Sequence, residues 1–245
     1  MKATFDATGE VFVITGGANG IGRALAVALA VAGGKVVVFD LDEAAMADLT
    51  TEAPGIDCRR LDVGDRDAVS GAFAAIERDH GRIDGLLCGA AIQPRKDVHT
   101  MTPDEWRRVI AINLDGVVWC YQAVIGGMME RRKGVVVAFS SGLAAQGWPM
   151  ASAYAASKAA LGAFVRSAAK EVSRHRVRIN LIAPGVIDTP QYRAANAGAD
   201  HASWQNSTGV GTPADVVGPL MFMFSDAATM TGSLVSRDFV YPREG

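Results

Sequence analysis

Tyr154 and Lys158 stand four residues apart in Tyr154-Ala155-Ala156-Ser157-Lys158. On a helix, positions i and i+4 share a face, so this spacing sets a phenol beside an ammonium. A neighbouring positive charge favours the phenolate and lowers a tyrosine's pKa from its usual value of about 10. An inert phenol then becomes a candidate general base near neutral pH. A serine pair, Ser140-Ser141, lies fourteen and thirteen residues upstream of the tyrosine.

A second group of residues opens the chain. Thr15-Gly16-Gly17-Ala18-Asn19-Gly20-Ile21-Gly22 follows a β-branched run and leads into a helical one. Glycines there permit a tight turn and let the backbone approach a pyrophosphate, which a helix N-terminus stabilises. The spacing of Gly16, Gly20 and Gly22 is GxxxGxG, which by itself is equally a tight strand–helix turn. An acid ending the next strand, Asp40, eighteen residues beyond Gly22, makes it a dinucleotide site. A carboxylate at that point accepts hydrogen bonds from both adenosine ribose hydroxyls and repels a 2'-phosphate, so NAD is expected rather than NADP. Asp62, in Leu61-Asp62-Val63, is placed either to meet the adenine ring or to cap a turn. Together the two groups point to proton removal from a hydroxyl coupled to hydride transfer.

The elements that must position them alternate along the chain. Strands are expected at Val11–Ile14, Val36–Phe39, Ile56–Leu61, Leu86-Leu87, Val135–Phe139 and Arg178–Ile182. Helices are expected at Ile21–Ala32 and Glu43–Glu52, and around Ala68–Arg78, Asp104–Arg131 and Ala155–Arg174. Unalternating apolar strands separated by helices predict an α/β fold, a doubly wound parallel sheet with helices on both faces. No linker or repeat interrupts the 245 residues, so one domain is expected over 1–245. Thr102-Pro103-Asp104-Glu105 reads as a capped helix start with no chemical role.

Composition narrows the partners. With 49% hydrophobic and 20% charged residues and a net charge of -2, the chain has no electrostatic footprint for nucleic acid. Cys58, Cys88 and Cys120 lack metal-ligand spacing and read as free thiols in a reducing compartment. His80, His99, His175 and His201 are scattered, so no metal is expected. Charged residues in the first ten positions argue against a signal peptide, and the apolar stretch Ala24–Phe39 is short for a membrane span. A soluble cytoplasmic protein without membrane contact is expected.

The residues now resemble the short-chain dehydrogenase/reductase family over nearly the whole chain. The matching pieces are TGGANGIG at 15–22, Asp40, LDV at 61–63, Asn113 in INLDG, Ser140-Ser141, YAASK at 154–158 and Pro184-Gly185. The resemblance implies a Rossmann-type domain with Tyr154 as general acid/base. Lys158 would lower its pKa and hold the nicotinamide ribose, and Ser141 would hydrogen-bond the substrate oxygen. Asn113 would hold a water linking Lys158 to solvent. NAD would be met by Gly16, Asn19, Gly20, Ile21, Gly22, Asp40, Asp62, Val63, Ala90, Tyr154, Lys158, Pro184, Gly185, Ile187 and Thr189.

The family's Asn-Asn-Ala-Gly is replaced by Cys88-Gly89-Ala90-Ala91, which is expected to affect stability more than chemistry. Ser236-Arg237-Asp238-Phe239 replaces its Val-Asp-Gly-Gly in a segment that commonly meets another subunit. A homotetramer or homodimer is implied by the resemblance alone. A lid is expected around 188–212, with a substrate pocket lined by Gln93, Leu143, Trp148, Tyr192 and Trp204, and also Met150. The aromatic members imply a small apolar, ring-containing alcohol or ketone, although ordinary packing would explain each. Arg193 is the only Arg or Lys in 191–211, so the lid gives no firm sign of a carboxylate or phosphate on the substrate. Two alternatives remain open: a non-catalytic NAD-binding sensor, and an isomerase or dehydratase on the same fold.

Overall fold

Runs such as Val36-Val37-Val38-Phe39 are apolar on both sides of a strand and have to be covered on both faces. The computed structural model describes residues 3–198 and 209–237. Its strands are β1 (Val11–Thr15), β2 (Lys35–Asp40), β3 (Asp57–Arg60), β4 (Gly85–Cys88), β5 (Gly134–Phe139), β6 (Val177–Ala183) and β7 (Leu234–Ser236). They form one parallel sheet in the order β3-β2-β1-β4-β5-β6-β7. The direction of winding reverses between β1 and β4. In such sheets this reversal opens a ligand crevice at the carboxyl ends of the strands.

The helices are α1 (Gly20–Val31), α2 (Glu43–Glu52), α3 (Arg66–His80), α4 (Pro103–Ile110), α5 (Gly116–Arg131), α6 (Leu143–Gln146), α7 (Ser152–Val172), α8 (Pro190–Ala195) and α9 (Ala214–Phe224). Strand side chains alternate between two cores. Val11 and Val13 pack with Phe73, Ile76, Val124, Leu161 and Val165 of α3, α5 and α7. Phe12 and Ile14 pack with Leu25, Leu29, Leu220 and Phe224 of α1 and α9. Each fully buried leucine, isoleucine or phenylalanine contributes roughly 1.5–3 kcal/mol relative to exposure, so these two layers hold the strand ends that carry the site.

Several features depart from the expected elements: α6, α8, α9 and β7 lie where none was expected. The helix expected over Asp104–Arg131 is divided by a π-helical turn at Ala111–Asp115, which puts an extra residue into the ladder beside Asn113. The run Pro103–Arg131 is also long and apolar enough to cross a membrane by length and composition. Its Val117, Cys120, Val124 and Met128 are instead buried in the sheet core. The α4 start is as expected, with the Thr102 hydroxyl and Glu105 carboxylate forming a reciprocal cap. The strand β7, added at the β6 edge, had no local signal of its own.

Candidate active site

The carboxyl ends of the strands open onto a cleft of about 660 Å³. Its nucleotide end is shaped by the β1–α1 turn. Gly16 has φ +67°, and a Cβ there would lie 2.6 Å from the Ala90 amide nitrogen, so only glycine fits. A Cβ on Gly22 would lie 2.5 Å from the Gly16 carbonyl oxygen, which holds the start of α1 against the turn. Gly16, Asn19, Gly20, Ile21, Gly22, Asp40, Asp62, Val63 and Ala90 all line this end. Pro184, Gly185, Ile187 and Thr189 line the cleft from the segment after β6.

Several of these side chains also hold the walls together. One Asp40 oxygen accepts from the Ala18 amide (2.9 Å), and the other from the Leu41 (2.7 Å) and Asp42 (3.1 Å) amides. Asn19 donates to the Asp42 carboxylate (3.0 Å), joining the first turn to the second. Asp62 accepts from the Gly64 amide (2.9 Å), so it closes a turn while facing the cleft. Thr189 caps α8 by accepting from the Tyr192 amide.

The reacting end is built from the end of β5 and the first turns of α7. Ser141, Tyr154 and Lys158 all border the cleft there. Lys158 is buried, and its ammonium donates to the Phe139 carbonyl oxygen at 2.9 Å. Burial in apolar surroundings lowers its pKa to about 8. Tyr154 is pushed up, not down: burial disfavours its phenolate more than the Ser141 hydrogen bond and the nearby Arg95 charge favour it. The expected lowering by Lys158 is therefore not what sets the tyrosine. The lysine Nζ sits 5.7 Å from the ring centre, with its donor turned to Phe139.

Asn113 is fully buried and does not border the cleft. Its side chain accepts from the Ile92 amide (2.8 Å) and donates to the Ile92 carbonyl (2.9 Å). It also donates to the Ser157 hydroxyl (3.2 Å), next to Lys158. One amide thus ties the π turn to the loop after β4 and to α7. Ser140 is buried, its amide bonded to the Ile182 carbonyl, and borders the cleft next to Ser141.

At the other end, Gln93, Leu143, Trp148 and Tyr192 line the same cleft as Tyr154. Trp204 lies outside the described residues. Met150 does not join them: it is exposed, at φ +62°, outside the lining. Arg193 forms an ion pair with Asp188 at 2.6 Å. Sequence reasoning missed Arg95, Gln146 and Asn196, which also border the cleft. No motif marks them, because the loop after β4 brings Arg95 to Asn196, about a hundred positions later.

The altered segment after β4 has a substitute tie. The Thr15 hydroxyl accepts from the Gly89 (3.2 Å) and Ala90 (3.4 Å) amides, which pins the loop without asparagines. Arg237, in the atypical C-terminal segment, bonds through its amide to Ala183 and approaches Asp215 at 3.9 Å. It therefore braces the Pro184–Gly185 wall. Among the described residues, no cluster of three His, Cys, Asp or Glu side chains is arranged to hold a metal.

The short chain dehydrogenase family model matches residues 10–200. The 3-oxoacyl-acyl-carrier-protein reductase FabG of Thermotoga maritima is 32% identical, covering 94% of this chain and 96% of its own. The cis-4-hydroxycyclohexanecarboxylate dehydrogenase of Sinomonas cyclohexanicum is 34% identical, over 95% of this chain and 96% of its own. The crystal structure of a levodione reductase superposes with a TM-score of 0.87 at 31% identity, covering 94% and 96% of the two chains. With the sheet order, the cleft and the Ser141–Tyr154–Lys158 constellation in place, these matches establish that the chain belongs to the short-chain dehydrogenase/reductase family of nicotinamide-dependent oxidoreductases.

Proposed function

We propose that this protein interconverts a secondary alcohol and its ketone with NAD as the partner, and that its substrate is a small apolar or ring-containing molecule. The observation that carries this reading is the convergence of Ser141, Tyr154 and Lys158 with the Pro184–Thr189 wall on one cleft that continues to Asp40. The glycine turn fits a dinucleotide, since a Cβ at Gly16 or Gly22 would collide with backbone. NAD would be held by that turn, by Asp40 and Asp62 at the adenosine, by Lys158 at the nicotinamide ribose and by Pro184–Thr189. When bound, the nicotinamide supplies the hydride acceptor or donor.

The chain's own residues supply the proton chemistry and the positioning. Tyr154 removes the hydroxyl proton of the alcohol, or returns it to the ketone oxygen in the reverse direction. Ser141, whose hydroxyl stands beside the Tyr154 phenol, holds the substrate oxygen next to it. Lys158 places a positive charge next to the ring, and Asn113 fixes the lysine's helix through Ser157. A substrate lid is proposed around 188–212, of which 199–208 lie outside the described residues.

Asp40 supports NAD over NADP. The basic residues lining the cleft, Arg95, Arg108 and Lys158, come from the loop after β4, α4 and α7, and none from β2 or the turn after it. The ring-containing substrate is supported by the exposed Trp148 and by Tyr192 in the cleft. The names of two relatives, a cyclohexanecarboxylate dehydrogenase and a levodione reductase, support it too. A cytoplasmic homo-oligomer completes the reading. Purified protein incubated with NAD or NADP and a panel of cyclic and aromatic secondary alcohols should form NADH from some of them, with much slower NADPH formation. Equal use of both cofactors would refute the role given to Asp40. Product formation without NADH release would replace the dehydrogenase by an isomerase or dehydratase.

A further inference from the structure

Arg95 and Arg108 are cationic groups lining the cleft to which the reaction chemistry gives no role; Arg108 is exposed on α4, whereas Arg95 is half-buried. Arg95 lies in the loop after β4, on the same wall as Gln93, Trp148 and Tyr154. Its Nε donates to the Ala195 carbonyl oxygen (3.2 Å) and its Nη2 to the Asn196 side-chain oxygen (2.9 Å). Both partners are neutral and both come from the end of α8. Its Nη1 is fully enclosed and has no partner among the described residues. Nor does Arg95 have an ion pair with any described acid.

A guanidinium needed only to tie α8 to the loop would have no reason to keep an enclosed nitrogen unbonded. Leaving such a donor unpaired is costly, and sites that do so are commonly completed by a ligand. We propose that Arg95 is a specificity residue that binds a carboxylate, or another compact oxyanion, on the substrate itself. Its position selects substrate over cofactor, because cofactor phosphates belong at the glycine turn and α1 N-terminus. The acids lining the cleft are Asp40 and Asp62, at the ends of β2 and β3, so an anion beside Arg95 meets no like charge from the lining. The planar fork suits a carboxylate, and because Nη1 is covered by its neighbours a substrate carboxylate would meet it only as the side chains around it shift aside on binding. The substrate is thus an oxo acid or hydroxy acid with an apolar body, which deepens the dehydrogenase reading and depends on it for turnover.

Two measurements separate the anion site from that reading. The first compares kcat/KM for NADH-dependent reduction of 3- and 4-oxocyclohexanecarboxylate with that of their methyl esters. The wild type should favour at least one acid by about 10- to 100-fold, the size of a charge-assisted contact. Arg95→Gln should bring that acid-to-ester ratio close to one, and Arg95→Lys should keep part of it. Using the ratio removes any effect of Arg95 on the lid or on Tyr154 that the two substrates share. A wild-type ratio near one, or a ratio unchanged in Arg95→Gln, would overturn the proposal.

The second measurement is calorimetric binding of cyclohexanecarboxylate and cyclohexanecarboxamide to the NADH complex. Only the acid should bind detectably, and Arg95→Gln should weaken it at least tenfold while leaving NADH affinity intact. If the acid binds in this way but no ketone turns over, the anion site stands and the dehydrogenase reading falls. Equal binding of acid and amide, unaffected by Arg95→Gln, would remove the anion site.

Discussion

The Lys158 ammonium donates to the Phe139 carbonyl oxygen at 2.9 Å while lying 5.7 Å from the centre of the Tyr154 ring. The contact spans the end of β5 and the second turn of α7, the two elements that carry Ser141 and Tyr154. A charged group is thereby stored in the interior beside the tyrosine, and the ligand-free fold carries the cost of burying it. Function and stability are set against each other at this residue.

Replacing Lys158 with Met should separate the two. The fall in pKa from 10.5 to about 8 corresponds to roughly 3 kcal/mol of disfavoured charge. Loss of the Phe139 hydrogen bond offsets about 1–2 kcal/mol of that. Ligand-free Lys158→Met is expected to be more stable than the wild type by about 1–2 kcal/mol at pH 7, and inactive. The pH dependence has a definite sign. Between pH 8 and 10.5 the unfolded lysine holds a proton that the folded one has released, so wild-type stability rises with pH there. Chemical denaturation across that window should show the stability gap to the variant narrowing. A constant gap would mean that the lysine is not titrating in the fold.

The Tyr154 pKa predicts a pH–rate profile. Because burial raises it, alcohol oxidation should quicken as pH rises and the phenolate fraction grows. Ketone reduction needs the protonated phenol and should slow over the same range. Arg95 favours the phenolate, so Arg95→Gln should move both profiles toward higher pH. Profiles of kcat/KM for wild type and variant would show the displacement, and a shift to lower pH would contradict it.

Asn113→Ala removes three buried hydrogen bonds, two to Ile92 and one to Ser157. The Ile92 amide and carbonyl lose their side-chain partner, at a cost of about 2–4 kcal/mol. Urea denaturation should report this loss. A drop in kcat larger than the change in NADH affinity would place the effect at Lys158 rather than in the nucleotide end.

Asp40→Ala should have two consequences. Preference for NAD over NADP should relax, measured as the ratio of kcat/KM values for the two cofactors. The Ala18, Leu41 and Asp42 amides also lose their acceptor, and stability should fall by about 1–3 kcal/mol. A variant of unchanged melting temperature would show that these bonds are replaced at no cost.

Much of this architecture could be read from residue order. Apolar strands without alternation forced a sheet covered on both faces, and Gly16, Gly22 and Asp40 fall where their spacing to the strands put them. The spacing of Tyr154 and Lys158 set them on one face of α7, but local spacing says nothing about where the ammonium points. That depends on the Phe139 carbonyl, fifteen residues before the tyrosine on another element. Arg95 was invisible for the same reason, since its environment comes from Ala195 and Asn196 across the fold. The π turn at Asn113 has no composition signal, because its sequence also suits an ordinary helix.

The decisive measurement is NADH-dependent reduction of a cyclic ketone by the wild type and by Tyr154→Phe, alongside NADH affinity for each. The phenylalanine keeps the ring that packs beside Lys158 and removes only the hydroxyl. Turnover should fall by at least three orders of magnitude, consistent with a lost acid–base group together with its substrate hydrogen bond, while NADH affinity changes less than about threefold. Turnover surviving within tenfold of the wild type would show that Tyr154 is not the proton carrier.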